Sequence, residues 1–145
     1  MHELPNAIDL FAGAGGLSEG LRQAGFNVLG AVELDALACQ TYRLNHPNVK
    51  LWEEDIRNVT GAAMLRELGV ACGELDLLAA CPPCQGFSSM RTMNGSKRNR
   101  DSRNDLIIDA LRLIRSMKPK SVMFENVPGL AANRRYSSFH KFCNS

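Results

Sequence analysis

The sequence predicts an α/β domain on a mostly parallel sheet, and three observations carry that expectation. Short apolar runs alternate with amphipathic stretches along the chain, the order of strand–helix–strand units. The largely apolar run over 75–80 has the character of a central parallel strand covered on both faces. Helix caps and stops fall between these segments at regular intervals, with Asp35 and Thr60 as starts and Gly25, Pro47 and Gly69 as ends.

Taken in order, residues 7–11 read as a buried strand and 12–16 as a glycine-rich turn. A helix over 17–24 stops at Gly25, and 27–33 form a second strand. Asp35 caps a helix reaching about residue 44, and 51–54 form a short third strand. Thr60 caps a helix ending before Gly69, and 75–80 form the fourth strand. After a polar stretch over 85–103, Asn104 or Asp105 opens a helix. Its apolar residues Leu106, Ile107, Ala110, Leu111 and Ile114 keep helical spacing. Residues 121–124 form a fifth strand. Strands alternating with helices imply right-handed crossovers and a Rossmann-like unit, which takes ligands beyond the carboxyl ends of its strands.

The 145 residues fit a single domain able to bury a core, with 45% hydrophobic and 22% charged residues. The net charge of +2 permits a nucleic-acid partner without arguing for one. No apolar run is as long as a membrane span, and the first residues lack the pattern of a signal peptide. The expected setting is therefore cytoplasmic, and nucleoid-associated if the source is bacterial. Five cysteines, an odd number, are expected as reduced thiols.

Two constellations carry chemistry. The first is Asp9-Leu10-Phe11-Ala12-Gly13-Ala14-Gly15-Gly16-Leu17, leaving a strand and entering a helix. Glycines allow a sharp turn and a close approach, and a helix start offers free N–H groups. Glu33, about twenty residues on, is placed to take ribose hydroxyls. Ser18 occupies the third glycine position of the dinucleotide pattern, which favours a nucleoside such as S-adenosylmethionine over a dinucleotide. Asp55, at the end of the third strand, can accept from an adenine amino group. The plain alternatives are a tight turn with no ligand and a solvated loop acid.

The second is Cys81-Pro82-Pro83-Cys84-Gln85-Gly86-Phe87-Ser88, after the fourth strand. Two prolines stiffen the exit, so Cys84 is a candidate covalent nucleophile. Glu125, in Glu125-Asn126-Val127-Pro128, ends the next strand at the same edge and is its candidate acid. A redox pair normally opens a helix, which this one does not. A zinc site needs further ligands at regular spacing, which His46, His140 and Cys143 do not supply. No metal is expected. Cys81, Cys39 and Cys72 read as structural cysteines.

With these motifs in this order, the stretch from Ala7 to Leu130 resembles the DNA (cytosine-5)-methyltransferase family. The resemblance rests on Asp9–Leu17, on Val32-Glu33-Leu34-Asp35, on Pro82–Ser88 and on Glu125–Leu130. It implies an S-adenosylmethionine-dependent methyltransferase fold and methyl transfer to C5 of cytosine in double-stranded DNA through a covalent cysteine adduct. Cys84 would attack C6 of a flipped-out base and Glu125 would serve N3.

Position by position, Phe11, Gly13, Gly15 and Leu17 would surround the methionine part of the cofactor. Glu33 would hold its ribose, with Leu34, Asp55 and Ile56 around adenine and Pro83 and Leu106 alongside. The Pro82 carbonyl would meet the cytosine amino group. Cys81 stands where the family has a small residue and is expected to be tolerated without a new role. Arg91, Lys97, Arg98, Arg100 and Arg103 crowd the segment after Cys84 and would meet DNA phosphates; a solvated loop is the plain alternative.

Beyond Leu130 the family pattern fades, and residues 131–145 could begin a helix. The remaining strands, the target-recognition region and the closing motif are not in this sequence. The expectation is thus the cofactor-binding and nucleophile-bearing part of a methyltransferase, with a sheet incomplete on its C-terminal side. A second polypeptide carrying the later motifs is a candidate partner. Two other readings stay open: an S-adenosylmethionine-binding or assembly module without turnover, and a fragment of a transfer-RNA cytosine-5 methyltransferase.

Overall fold

The computed structural model describes residues 3–83 and 106–125. In chain order the elements are β1 (Asn6–Leu10), α1 (Gly16–Gln23), β2 (Asn27–Glu33), α2 (Ala36–Asn45), β3 (Lys50–Glu53), α3 (Gly61–Leu68), β4 (Leu77–Ala80), α4 (Leu106–Met117) and β5 (Ser121–Phe124). The strands form one sheet in the order β3-β2-β1-β4-β5, and every neighbouring pair is parallel. The mostly parallel α/β expectation holds. Strand order reverses at β1, whose neighbours β2 and β4 lie on opposite sides of it.

Alternation along β1 sends side chains to two different cores. Ile8 and Leu10 join Val32, Leu78 and Ala80 under α3 and α4, where Met64, Leu65, Leu113 and Met117 fill the space. Ala7 faces the other way, with Ala79, Leu77 and Leu21 of α1. Ala31 joins that layer beside Tyr42 of α2. Large apolar residues thus line the α3/α4 face, and alanines line the α1/α2 face.

Local chemistry sets the element ends. Asp35 and Thr60 cap α2 and α3 by accepting the N–H of Ala38 and Ala63, at 2.8 and 3.3 Å. Helix α1 closes on a left-handed Gly25, with Phe26 N–H bonded to Leu21 and Gly25 N–H to Arg22, the paired pattern that satisfies a helix's last carbonyls. Strand β4 begins at Leu77 rather than at residue 75. Asp76 explains this, because its carboxylate takes the Asn6 N–H at 2.8 Å and the Lys120 ammonium at 2.8 Å at the strand's lower end. Strand β3 starts one residue earlier than expected, at Lys50.

Helices α3 and α4 meet closely at Gly61, where an added Cβ would lie 2.7 Å from Ser116 Oγ and 2.9 Å from Ser116 Cβ. Gly61→Ala should lower the unfolding free energy in urea by about 1–3 kcal/mol, although alanine is the better helix former by about 1 kcal/mol. A stabilised variant would show that α4 is not seated on α3 in this way.

Candidate functional site

The hydrogen-bond ladder continues past the strand ends and fixes the loops that leave them. Glu54 N–H bonds to the Glu33 carbonyl, Ala12 N–H to Val32, Cys81 N–H to Leu10 and Glu125 N–H to Ala80, at 3.0–3.3 Å. Asp55, Glu33, the glycine turn, Cys81-Pro82-Pro83 and Glu125 therefore stand in a row along the carboxyl edge of the sheet, in strand order. Such an edge, at a reversal of strand order, is where open α/β sheets take ligands.

The glycine turn is held at several points. Phe11 is left-handed (φ 62), as are Gly13 (φ 55) and Gly15 (φ 98). A non-glycine residue in that region marks strain held by its surroundings. Glu33 accepts the Gly13 N–H on Oε2 at 2.8 Å and the Leu34 and Asp35 N–H groups on Oε1, each at 2.8 Å. A carboxylate offers about four acceptor positions, so one on Oε2 stays open. A Cβ on Gly13 would meet nothing within 4 Å; its left-handed backbone, rather than crowding by the protein, selects glycine there.

Other expected contacts are placed as follows. Leu34 is exposed, at 62%, beside Glu33, whereas Ile56 is 4% exposed and joins the core. Leu17 packs its side chain on the α1 core with Ala7 and Leu21, which leaves its backbone N–H as the group able to face a ligand. Asp55 is bound by Arg57, whose backbone N–H and Nε–H each reach Oδ1 at 2.9 Å and whose second guanidinium nitrogen reaches Oδ2. Those contacts hold its carboxyl below the usual range and leave one acceptor position on Oδ2. Arg112 of α4 donates to the carbonyls of Ile56 and Val59 at 2.8 and 2.9 Å. It thereby ties the loop after β3 to the helix that begins at Leu106.

Sequence reasoning missed a buried polar system beneath the turn. Asp9 is fully buried in β1, and Ser18 donates to its Oδ2 at 2.7 Å. The Tyr42 hydroxyl lies 2.7 Å from Ser18 Oγ, and with the Ser18 proton on Asp9 the tyrosine is the donor. Ser18, which stands in the third glycine position, is the residue that reaches the carboxylate. Burial pushes the Tyr42 hydroxyl up to about 12. Asp9 Oδ1 is the one buried side-chain oxygen without a hydrogen-bond partner among the described residues. Burial, eased by the Ser18 hydrogen bonds, raises the Asp9 carboxyl to about 6.

Strands β4 and β5 are neighbours, with Ala80 paired to Phe124, so the segment leading to Cys84 and the Glu125 residue leave adjacent strand ends. Cys84 itself lies outside the described residues, as do Arg91, Lys97, Arg98, Arg100, Arg103 and residues 131–145. Cys81 is more than a packing residue. Burial first, and its hydrogen bond to the Glu125 side chain second, push its thiol up to about 12. It is therefore a neutral thiol beside the Glu125 side chain and not a thiolate. Among the described residues no three His, Cys, Asp or Glu side chains are grouped to hold a metal ion. No described helix is long and apolar enough to cross a membrane.

The Asp9 carboxyl gives the site a pH signature. Between the ordinary value of 3.8 and about 6 the folded protein holds a proton that the unfolded chain has released. Stability from this group is therefore complete below about pH 4 and is lost as pH rises through 6, by on the order of 3 kcal/mol. Asp9→Asn is neutral throughout, so its unfolding free energy should gain on wild type between pH 4 and pH 7.5 by about that amount. An equal difference at both pH values would mean that Asp9 carries no buried charge.

Comparison with known proteins gives the arrangement a family. The model of the C-5 cytosine-specific DNA methylases matches residues 6–145. The type II methyltransferase M.AgeI of Thalassovita gelatinovora is 42% identical over 123 residues, covering 85% of this chain and 28% of that protein. M.AquIA of Picosynechococcus is 40% identical, over 85% of this chain and 48% of its own length. The chain thus spans less than half of these relatives. Among solved structures, one described as a DNA modification methyltransferase encoded within an E. coli prophage superposes with a TM-score of 0.78. It is 35% identical and covers 97% of this chain and 37% of its own. A Spodoptera frugiperda DNMT2 variant shares the fold at a TM-score of 0.70 and 21% identity. With the fold of these methyltransferases and a sequence match over nearly its whole length, the chain belongs to the C-5 cytosine-specific DNA methylase family.

Proposed function

We propose that this chain supplies the cofactor-binding and nucleophile-bearing part of an enzyme that transfers a methyl group from S-adenosylmethionine to C5 of cytosine in double-stranded DNA. It would act together with the further length that its relatives possess, within one protein or as a second polypeptide. The observation that carries the reading is the row of groups along one sheet edge, from Asp55 and Glu33 through the glycine turn to the strand ends that bear Pro82-Pro83 and Glu125.

The donor set suits this cofactor. The open acceptor position on Glu33 can take a ribose hydroxyl, and the remaining one on Asp55 the adenine amino group. The Asp9 oxygen without a partner adds negative potential beneath the turn, which favours a cationic ligand such as a sulfonium amino acid. Phe11, Gly13, Gly15 and the backbone of Leu17 would border its methionine part, with Leu34, Ile56, Pro83 and Leu106 around the remainder. When bound, S-adenosylmethionine supplies an electrophilic methyl group.

Cys84 and Glu125 of this chain would then carry the covalent steps. The Cys84 thiolate attacks C6 of an everted cytosine and forms an S–C6 bond. Glu125 holds a proton at N3, so the displaced electron pair makes C5 nucleophilic toward the methyl group. Loss of the C5 proton to a base then re-forms the C5–C6 double bond and expels the thiolate. The neutral Cys81 thiol beside Glu125 is a donor to the acid and not a competing nucleophile. The Pro82 carbonyl, two residues past the end of β4, would receive the cytosine amino group. Arg91, Lys97, Arg98, Arg100 and Arg103 would meet backbone phosphates. Cytoplasmic location goes with this reading.

Duplex DNA carrying 5-fluorocytosine should trap a covalent complex in the complemented enzyme with S-adenosylmethionine, because the C5 proton has been replaced. Cys84→Ser should abolish capture, and persistent capture would reassign the nucleophile. Labelled methyl transfer to RNA but not to DNA would overturn the substrate. Calorimetry of the chain alone with S-adenosylmethionine should show binding weaker than in the complemented enzyme, since the relatives' remaining length would complete the site. Equal affinity in both would contradict that.

A further inference from the structure

The proposed chemistry leaves one buried side chain behind the glycine turn unused. His46 closes α2 and is 8% exposed, and its Nε2 lies 3.0 Å from the carbonyl oxygen of Gly15. Its ring rests on Tyr42, with centroids 4.7 Å apart and planes tilted by 44°. A Cβ added to Gly15 would lie 2.4 Å from His46 Nε2 and 2.5 Å from Cδ2. The imidazole therefore fills the space that only a glycine leaves, and a carbonyl acceptor requires that Nε2 carry the proton.

The same Gly15 carbonyl takes the Glu19 N–H at 2.9 Å, the bond that opens α1. One residue earlier, Asn45 Nδ2 reaches the Ala14 carbonyl at 3.5 Å. The end of α2 thus holds two successive carbonyls of the turn, while Glu33 holds the Gly13 N–H. Gly15 is left-handed and caps α1 without any side chain, and a glycine turn of this kind has much conformational freedom to lose when it orders. A site that is ordered before the ligand arrives does not subtract that loss from its affinity.

We infer that His46 is a positioning residue for the cofactor turn: its imidazole N–H pins the Gly15 carbonyl and so fixes the N–H groups at the start of α1. The inference rests on reading that turn as the S-adenosylmethionine site. It is tested with the full chain as wild type, His46→Leu and His46→Gln. Leucine fills the volume of the ring without a donor; glutamine returns an N–H near the position of Nε2. His46→Phe, which keeps the ring contact with Tyr42, replaces the leucine variant if that one does not fold.

Amide hydrogen exchange of the unliganded protein, read by NMR at Gly15 and Glu19, should be about tenfold faster in His46→Leu and near wild type in His46→Gln. Calorimetry with S-adenosylmethionine should follow the same order, with affinity lower by about tenfold for leucine, the effect of one net hydrogen bond, and largely restored by glutamine. Unchanged exchange in His46→Leu would overturn the inference, and so would faster exchange with wild-type affinity. If exchange responds as expected but wild type takes up no S-adenosylmethionine, the cofactor reading of the turn fails while the pinning of Gly15 stands.

Discussion

Strand β1 has β2 on one side and β4 on the other, so the chain segments that leave its neighbours diverge above its carboxyl end. That reversal opens the edge of the sheet and leaves the glycine turn above β1. The turn is then anchored to what stands beside it. Glu33 binds it from β2, Cys81 N–H bonds to Leu10 below it, and the end of α2 holds its carbonyls from behind. Asp55 and Glu125 occupy the outer positions because β3 and β5 are the outer strands.

Beneath that opening the protein accepts a poor arrangement for stability. A fully buried carboxylate with one unpartnered oxygen is the kind of group that cores exclude. Ser18, itself held by Tyr42, satisfies only one of its two oxygens. The neutral form is favoured up to about pH 6, and above that the charge lies directly under the loop expected to receive a cationic ligand. Stability and electrostatic readiness are set against each other at this residue.

Much of this was legible in the sequence because it is local. Caps at Asp35 and Thr60, the stop at Gly25 and the glycine turn are all defined within a few residues, and parallel pairing of β4 with β5 follows from the strand–helix alternation. What escaped reading depends on contacts between distant segments. His46 and Gly15 are separated by two whole helices and a strand, so nothing in the spacing joins them. Ser18 was visible as a departure from a glycine pattern, but its purpose required Asp9 and Tyr42 in space. Asp76 stands in plain view within 75–80, but its part in ending the strand required Asn6 and Lys120 in space. Cys84 and the basic segment lie outside the described residues, so their roles rest on the motif.

The alanine-lined face has a consequence for reading sequence variation. Ala7, Ala31 and Ala79 are fully buried where α1 and α2 lie against the sheet, and those helices carry Ser18, Tyr42 and His46. Added volume at any of the three must displace a helix, because close-packed interiors have no slack to absorb it. The displacement is delivered to the glycine turn. Substitutions at these positions would then look like ligand-binding defects in a functional screen although all three alanines are buried under the helices. Function-altering changes in this chain should accordingly map to the underside of two helices as well as to the open edge.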